Sequence, residues 1–255
     1  MTVADWEQNR FLAGSGDIVG GTTGSSGTTT PLTLQGSESR LFYNDATANS
    51  ENGVMFWLDS TLHPDFDAIP DTRAVRVEAW VKCGGYSPAA PAAFEDHCVK
   101  VKTGLIGGSW HYQVRQGYSF GIYSAANVHG GLAADFIFRA GNKVGNAVEL
   151  FTGTLAYRDT WYQVRMDVIP TLNGTTVDRD TVRCYINTGT EASPIWTLEY
   201  STVVLDSETS KWIPWGDADA GGVGFVTHIK NGDAAYGSIR AYAYIDGFKA
   251  YVKDK

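Results

Sequence analysis

The feature that most constrains this chain is alternation. From Ser37 onward, apolar residues recur at every second position in run after run, with turn residues between the runs. Val75, Val77, Ala79 and Val81 alternate with Arg76, Glu78, Trp80 and Lys82. Tyr162, Val164, Met166 and Val168 alternate with Gln163, Arg165 and Asp167. Tyr118, Phe120 and Ile122 follow the same rule, as do Phe136 and Phe138 beside Asp135 and Arg139, and Val182, Cys184 and Ile186 beside Arg183 and Tyr185. Trp196, Leu198 and Tyr200 read as one further face, then Val223 and Phe225. Successive side chains of a strand point to opposite sides, so each run predicts a strand with one apolar and one mixed face. No long run carries helical periodicity. Asn52-Gly53, Asn173-Gly174 and Asn231-Gly232 supply the positive φ angles of tight hairpins. The 29 glycines and 13% aromatic content exclude a helical bundle or a disordered chain. The expected fold is all-β, two antiparallel sheets packed face to face.

The leader differs. Gly, Ser and Thr fill 16 of the 24 residues from 13 to 36. Such a stretch buries too little apolar area to order on its own, so residues 1–36 read as an extended or flexible arm. Its aromatic head, Trp6, Phe11 and Leu12, is the candidate assembly contact. Residues 37–255 read as a single β-sandwich domain, with the weakly patterned stretch 83–112 as a surface excursion.

Three segments together carry a resemblance. They are Trp161-Tyr162-Gln163-Val164-Arg165-Met166-Asp167-Val168, the pair Thr181-Val182-Arg183-Cys184-Tyr185-Ile186-Asn187 with Pro194-Ile195-Trp196, and Gly222-Val223-Gly224-Phe225 with Ala243-Tyr244-Ile245-Asp246-Gly247-Phe248-Lys249-Ala250-Tyr251. This resembles the C-terminal half of concanavalin A-like, or laminin-G-like, jelly-roll domains. The resemblance implies a jelly-roll sandwich. It leaves function open among lectins, glycoside hydrolases, polysaccharide lyases, adhesion modules and phage virion proteins.

Enzymatic sandwiches of this kind need converging acids and bases. A retaining glycosidase needs two carboxylates about 5–5.5 Å apart, which an E-x-D-x-E strand supplies. That motif is absent, as are the R-x-E-x-R, Q-I-H and Y-F-K-A-G segments of alginate-type lyases. The i, i+2 pairs Asp65/Asp67, Asp178/Asp180 and Asp217/Asp219 read as turn residues, and Glu78 as part of a solvated ion-pair row. No catalytic residue is assigned, and a polysaccharide lyase or glycoside hydrolase is kept only as an alternative. The five histidines lack metal-ligand spacing, and no cofactor is expected. Asp217 and Asp219 are the only candidates for Ca²⁺, weakly, and read first as a polar loop. Three widely spaced cysteines read as buried, reduced thiols rather than a disulfide framework.

Two readings attach to Trp212, Trp215, Asp217 and Asp219. The indoles can stack on sugar rings while the carboxylates take hydroxyls, or they can plug an end of the sandwich or pack on a partner chain. Packing is preferred. A net charge of -8 and the lack of a basic run argue against nucleic acid as the main ligand. No apolar leader and no membrane span are visible, so synthesis and folding in a bacterial cytosol are expected. In style the chain is similar to sandwich proteins of tailed-bacteriophage particles. That similarity implies a virion structural protein, a capsid decoration or tail component attached by its arm to other virion proteins or as a homo-oligomer, presenting a surface to cell-surface glycan. A carbohydrate-binding lectin-like module is the first alternative.

Overall fold

A computed structural model describes residues 10–12, 18–19, 25–29, 39–43, 51–58, 73–84, 94–103, 116–125, 133–142, 147–157, 160–213, 222–230 and 242–254. These form two antiparallel sheets. The larger, eight-stranded sheet runs in the order β13 (Trp196–Leu205), β12 (Thr176–Asn187), β11 (Tyr162–Asn173), β6 (Arg73–Gly84), β15 (Tyr242–Asp254), β4 (Ser39–Tyr43) and β3 (Ser25–Thr29), with β1 (Arg10–Leu12) also on β15. The smaller, seven-stranded sheet runs β10 (Ala147–Tyr157), β9 (Ala133–Gly141), β8 (Gly117–Ala125), β7 (Phe94–Thr103), β14 (Gly222–Lys230), β5 (Glu51–Leu58) and β2 (Ile18–Val19). The two antiparallel sheets are those that the alternation leads one to expect, and together they make the jelly-roll sandwich that the resemblance implies. Among the described residues no helix is long and apolar enough to cross a membrane.

Alternation builds the core directly. Val75, Val77, Ala79 and Val81 of β6, Val164, Met166 and Val168 of β11, and Val182 and Cys184 of β12 are fully buried on the inner face of the larger sheet. Val99, Val101, Tyr118, Phe120, Phe138 and Phe225 meet them from the smaller sheet. Each fully buried large apolar side chain contributes about 1.5–3 kcal/mol. Aromatic pairs close the seam between the sheets. Phe136 meets Tyr162 edge-on at 5.2 Å, and Phe151 stacks on Tyr200 at 4.6 Å. Cys98 and Cys184 are buried free thiols, and burial pushes the Cys184 thiol well up.

Asn173 ends β11 and Gly174, at φ 66°, opens the two-residue turn into β12, so a tight hairpin forms there as expected; Asn52-Gly53, by contrast, makes no turn and lies inside β5, opposite Ile229 and His228 of β14. Within residues 1–36 the described segments are three strands on this same sandwich: β1 against β15, β2 against β5 and β3 against β4.

Three further readings of the strands need correction. The stretch 83–112 is not a surface excursion throughout, because it contains β7, an interior strand of the smaller sheet. Asp178 and Asp180 lie inside β12 rather than in a turn. They do not share a site: Asp178 pairs with its neighbour Arg179, while Asp180 points into the sandwich. The third concerns β13. A register shift between Cys184 and Tyr185 leaves Glu199 as an extra residue. Tyr200, opposite Cys184, therefore faces the core, whereas Trp196 and Leu198, opposite Asn187 and Tyr185, face outward.

One polar cluster crosses the core. Lys102 and Asp180, both wholly buried, join the two sheets through an Nζ–Oδ2 contact of 2.6 Å. Lys102 Nζ also donates to the Ile213 carbonyl, and the Tyr118 hydroxyl donates to Asp180 Oδ2, both at 2.6 Å. The Trp212 indole covers the ammonium at 3.9 Å. A kink turns Lys102 inward: its φ is 59°, and β7 shifts register against β14 there. Gly117 makes room for the kink. At φ 69°, a Cβ on it would sit 2.3 Å from the Val101 carbonyl oxygen. Removing one partner of such a pair strands a buried charge, so Asp180→Ala is expected to cost about 3–5 kcal/mol in urea unfolding. The double change Lys102→Met with Asp180→Leu is expected to recover most of that loss.

Candidate functional site

The outer face of the larger sheet is built by register, since residues opposite each other on antiparallel strands share a side. In one row Trp80 lies between Gln163 and Asp246, Gln163 accepts a 2.8 Å hydrogen bond from Asn187, and Asn187 lies opposite Trp196. In the next, Arg165 stands between Glu78 and Tyr185, with Lys249 and Leu198 beyond them. In the third, Asp167 stands between Arg76 and Arg183. The last two rows thus set the cations Arg76, Arg165, Arg183 and Lys249 against the carboxylates Glu78 and Asp167. A cationic surplus on a chain of net charge -8 marks this face as distinct.

The charged row is not solvated, contrary to the sequence reading. Arg76, Glu78, Arg165 and Asp167 are each less than a tenth exposed. Arg76 grips Asp167 with two hydrogen bonds of 2.7 Å, from Nε to Oδ1 and from Nη2 to Oδ2. Burial opposes the Arg76 charge, but these bonds and the Asp167 charge outweigh it and hold the guanidinium above its ordinary value. Arg165 shifts the other way. Burial lowers it, and the Arg76 charge adds to the fall against the pull of Asp167. Its guanidinium carbon lies 4.2 Å from the Tyr185 ring centre and 4.4 Å from that of Trp196, so two aromatic planes hold it. Burial raises Glu78 above the usual carboxylate range despite Arg165, Arg76 and Lys249 nearby.

The smaller sheet presents a second polar face. Lys100 and Arg139 both stand opposite Ser119, and Arg139 lies over the Tyr123 ring at 5.0 Å. Cys98, Ile137 and Val226 form an apolar patch beside them.

The residues singled out from sequence fall elsewhere. Trp212 is half-buried at the end of the sandwich, packed on the core and over Lys102. Trp215, Asp217, Asp219 and Trp6 lie outside the described residues, as do the side chains of Phe11 and Leu12 in β1. Among the described residues no group of three or more His, Cys, Asp or Glu is placed to hold a metal. The signal for the face was present as the alternation of Arg76, Glu78, Trp80 and Lys82. What it lacked was the partner strands.

No family model matches the chain, and no curated protein matches it. Among solved structures it is similar to the carbohydrate recognition domain of Emp47p, at 11% identity and a TM-score of 0.49 over 100% of this chain and 99% of that one. It is also similar to alginate lyase vAL-1 from Chlorella virus, at 12% identity and 0.45 over 99% and 94%. Lectin I-B4 from Griffonia simplicifolia stands at 8% and 0.46 over 96% and 99%. These likenesses are loose, and no feature of the site rests on them.

The raised Glu78 gives a test with a definite sign. A carboxyl whose folded pKa lies above its unfolded value costs stability once it ionises, and that cost is relieved as pH falls through the folded value. Glu78→Gln is therefore expected to raise the melting temperature at pH 8. The gap from the parent protein is expected to close on acidification below the folded pKa, as followed by thermal unfolding across pH.

Proposed function

We propose that the protein is a non-enzymatic binding sandwich whose ligand is a carbohydrate, taken on the outer face of the larger sheet. The observation that carries this is the row Trp80–Gln163–Asn187–Trp196. It sets an indole at each end and two amide side chains between them. Adjacent strands lie about 4.8 Å apart, so the row spans roughly 14 Å, the reach of a short oligosaccharide. Aromatic planes suit the apolar faces of sugar rings, and the Gln163 Nε2 donors suit a hydroxyl, while Asn187 orients that amide, its own Nδ2 donating to Gln163 and Thr190 and its Oδ1 accepting from Gly189 and Ile195. Asp167 is withheld from acid–base work on this face, because both its oxygens are engaged by Arg76. Trp80→Ala or Trp196→Ala is expected to weaken glycan binding about tenfold to a hundredfold, the loss typical of an aromatic anchor. A glycan array followed by calorimetry reads this, and an array empty across bacterial polysaccharides would refute the proposal.

A lyase is the second reading, and the half-buried Arg139 and Tyr123 on the smaller sheet favour it. Such groups can neutralise a uronate carboxylate and move a proton. Unsaturated products from polyuronates would replace binding with this activity.

The attachment of the sandwich to a virion rests on the sequence of the leader. Deleting residues 1–36 would remove β1, β2 and β3, so the informative truncation is residues 1–9, which carry Trp6. A folded, monomeric product that no longer joins particles is the expected result; normal incorporation would count against the arm.

A further inference from the structure

A guanidinium carries five N–H donors, and a buried one left without acceptors is costly. Arg165 is 8% exposed, yet no described residue accepts a hydrogen bond from it, and its Nε is buried and unpartnered. The nearby Asp167 Oδ1 lies 3.7 Å from Nε, beyond hydrogen-bond distance, and is already held by Arg76 at 2.7 Å. Across the ladder stands Glu78, whose charged form burial disfavours. Tyr185 and Trp196 pack their rings against the guanidinium, 4.2 and 4.4 Å from its central carbon, and neither ring offers its N–H groups an acceptor in the ring plane, so those donors are left for a ligand. A second donor on the same face, Trp80 Nε1–H, is also buried without a partner.

We propose that Arg165 seats the carboxylate of an acidic sugar, its planar edge pairing with both oxygens while the sugar ring lies against Trp196. The choice of a carboxylate follows from shape. A flat fork with two parallel N–H bonds matches a flat two-oxygen group, and the stacked rings prevent the fork from turning. The cationic surplus of the central rows draws the same charge. The proposal names the ligand class of the carbohydrate face and rests on that reading.

The test uses the full chain and paired probes: trigalacturonate, trimannuronate and a hyaluronan tetrasaccharide, each beside its methyl ester, titrated by calorimetry and tryptophan fluorescence. Esterification removes the charge and keeps the rings. At least one acid form is expected to bind tenfold or more tighter than its ester, with the advantage shrinking as salt rises. Arg165→Gln is expected to abolish the difference, bringing the acid down to the affinity that the same variant shows for the ester. Arg165→Lys keeps the charge without the fork and is expected to retain only part of the preference. It decides the matter if the glutamine variant does not fold. Equal binding of acids and esters, or an acid preference that survives both substitutions, would overturn the proposal and leave the carbohydrate reading intact. Binding of neutral glycans alone would do the same. No binding to any carbohydrate would end both.

Discussion

The sandwich turns on an ammonium and a carboxylate locked between its two layers. Lys102 and Asp180 sit where apolar packing would otherwise be expected, and the low dielectric there makes each charge intolerable without the other. The Tyr118 hydroxyl adds a second bond to Asp180 Oδ2, the Ile213 carbonyl takes a second from Lys102, and the Trp212 ring covers the ammonium. A contact of this kind has one good geometry, whereas stacked valines tolerate small slides. It therefore ties β7 and β8 to β12 at one register. Every outward row of the larger sheet inherits its place from β12, including the one that holds Arg165.

Seen this way, the two polar systems are opposites. The inner one is closed: its donors and acceptors find each other across the core. The outer one is half closed. Arg76 and Asp167 complete one another with two short bonds, but Arg165 and Glu78, though directly opposite, do not. The chemistry of the face lies in that remainder.

The core strands were legible because periodicity is local. Val75 to Val81 and Tyr162 to Val168 show their inner faces without reference to any partner. What failed was anything set by distant residues. β7 was missed because its alternation is short: Val99 and Val101 alternate with Lys100 and Lys102, but His97 stands at the apolar position before them, and only partners elsewhere in the chain explain why His97 and the two lysines are buried. Asp180 read as a turn residue because its lysine lies 78 positions away. The row around Glu78 read as solvated because Asp167 and Arg165 come from a strand nearly a hundred residues on. On β13 the sequence sets Trp196, Leu198 and Tyr200 on one apolar face; Tyr200 does face the core, but one extra residue at Glu199 resets the phase, turns Trp196 and Leu198 outward and leaves no mark in composition.

Cys184 has a consequence of its own. Its thiol sits at the centre of the inner face with no exposure, and burial keeps it from ionising. Only the thiolate reacts with alkylating agents and oxidants, so in the closed sandwich this sulfur is chemically silent. It becomes reactive when the layers part, and not before. The protein thus carries an internal clock, one whose rate of modification reports how often the interior breathes.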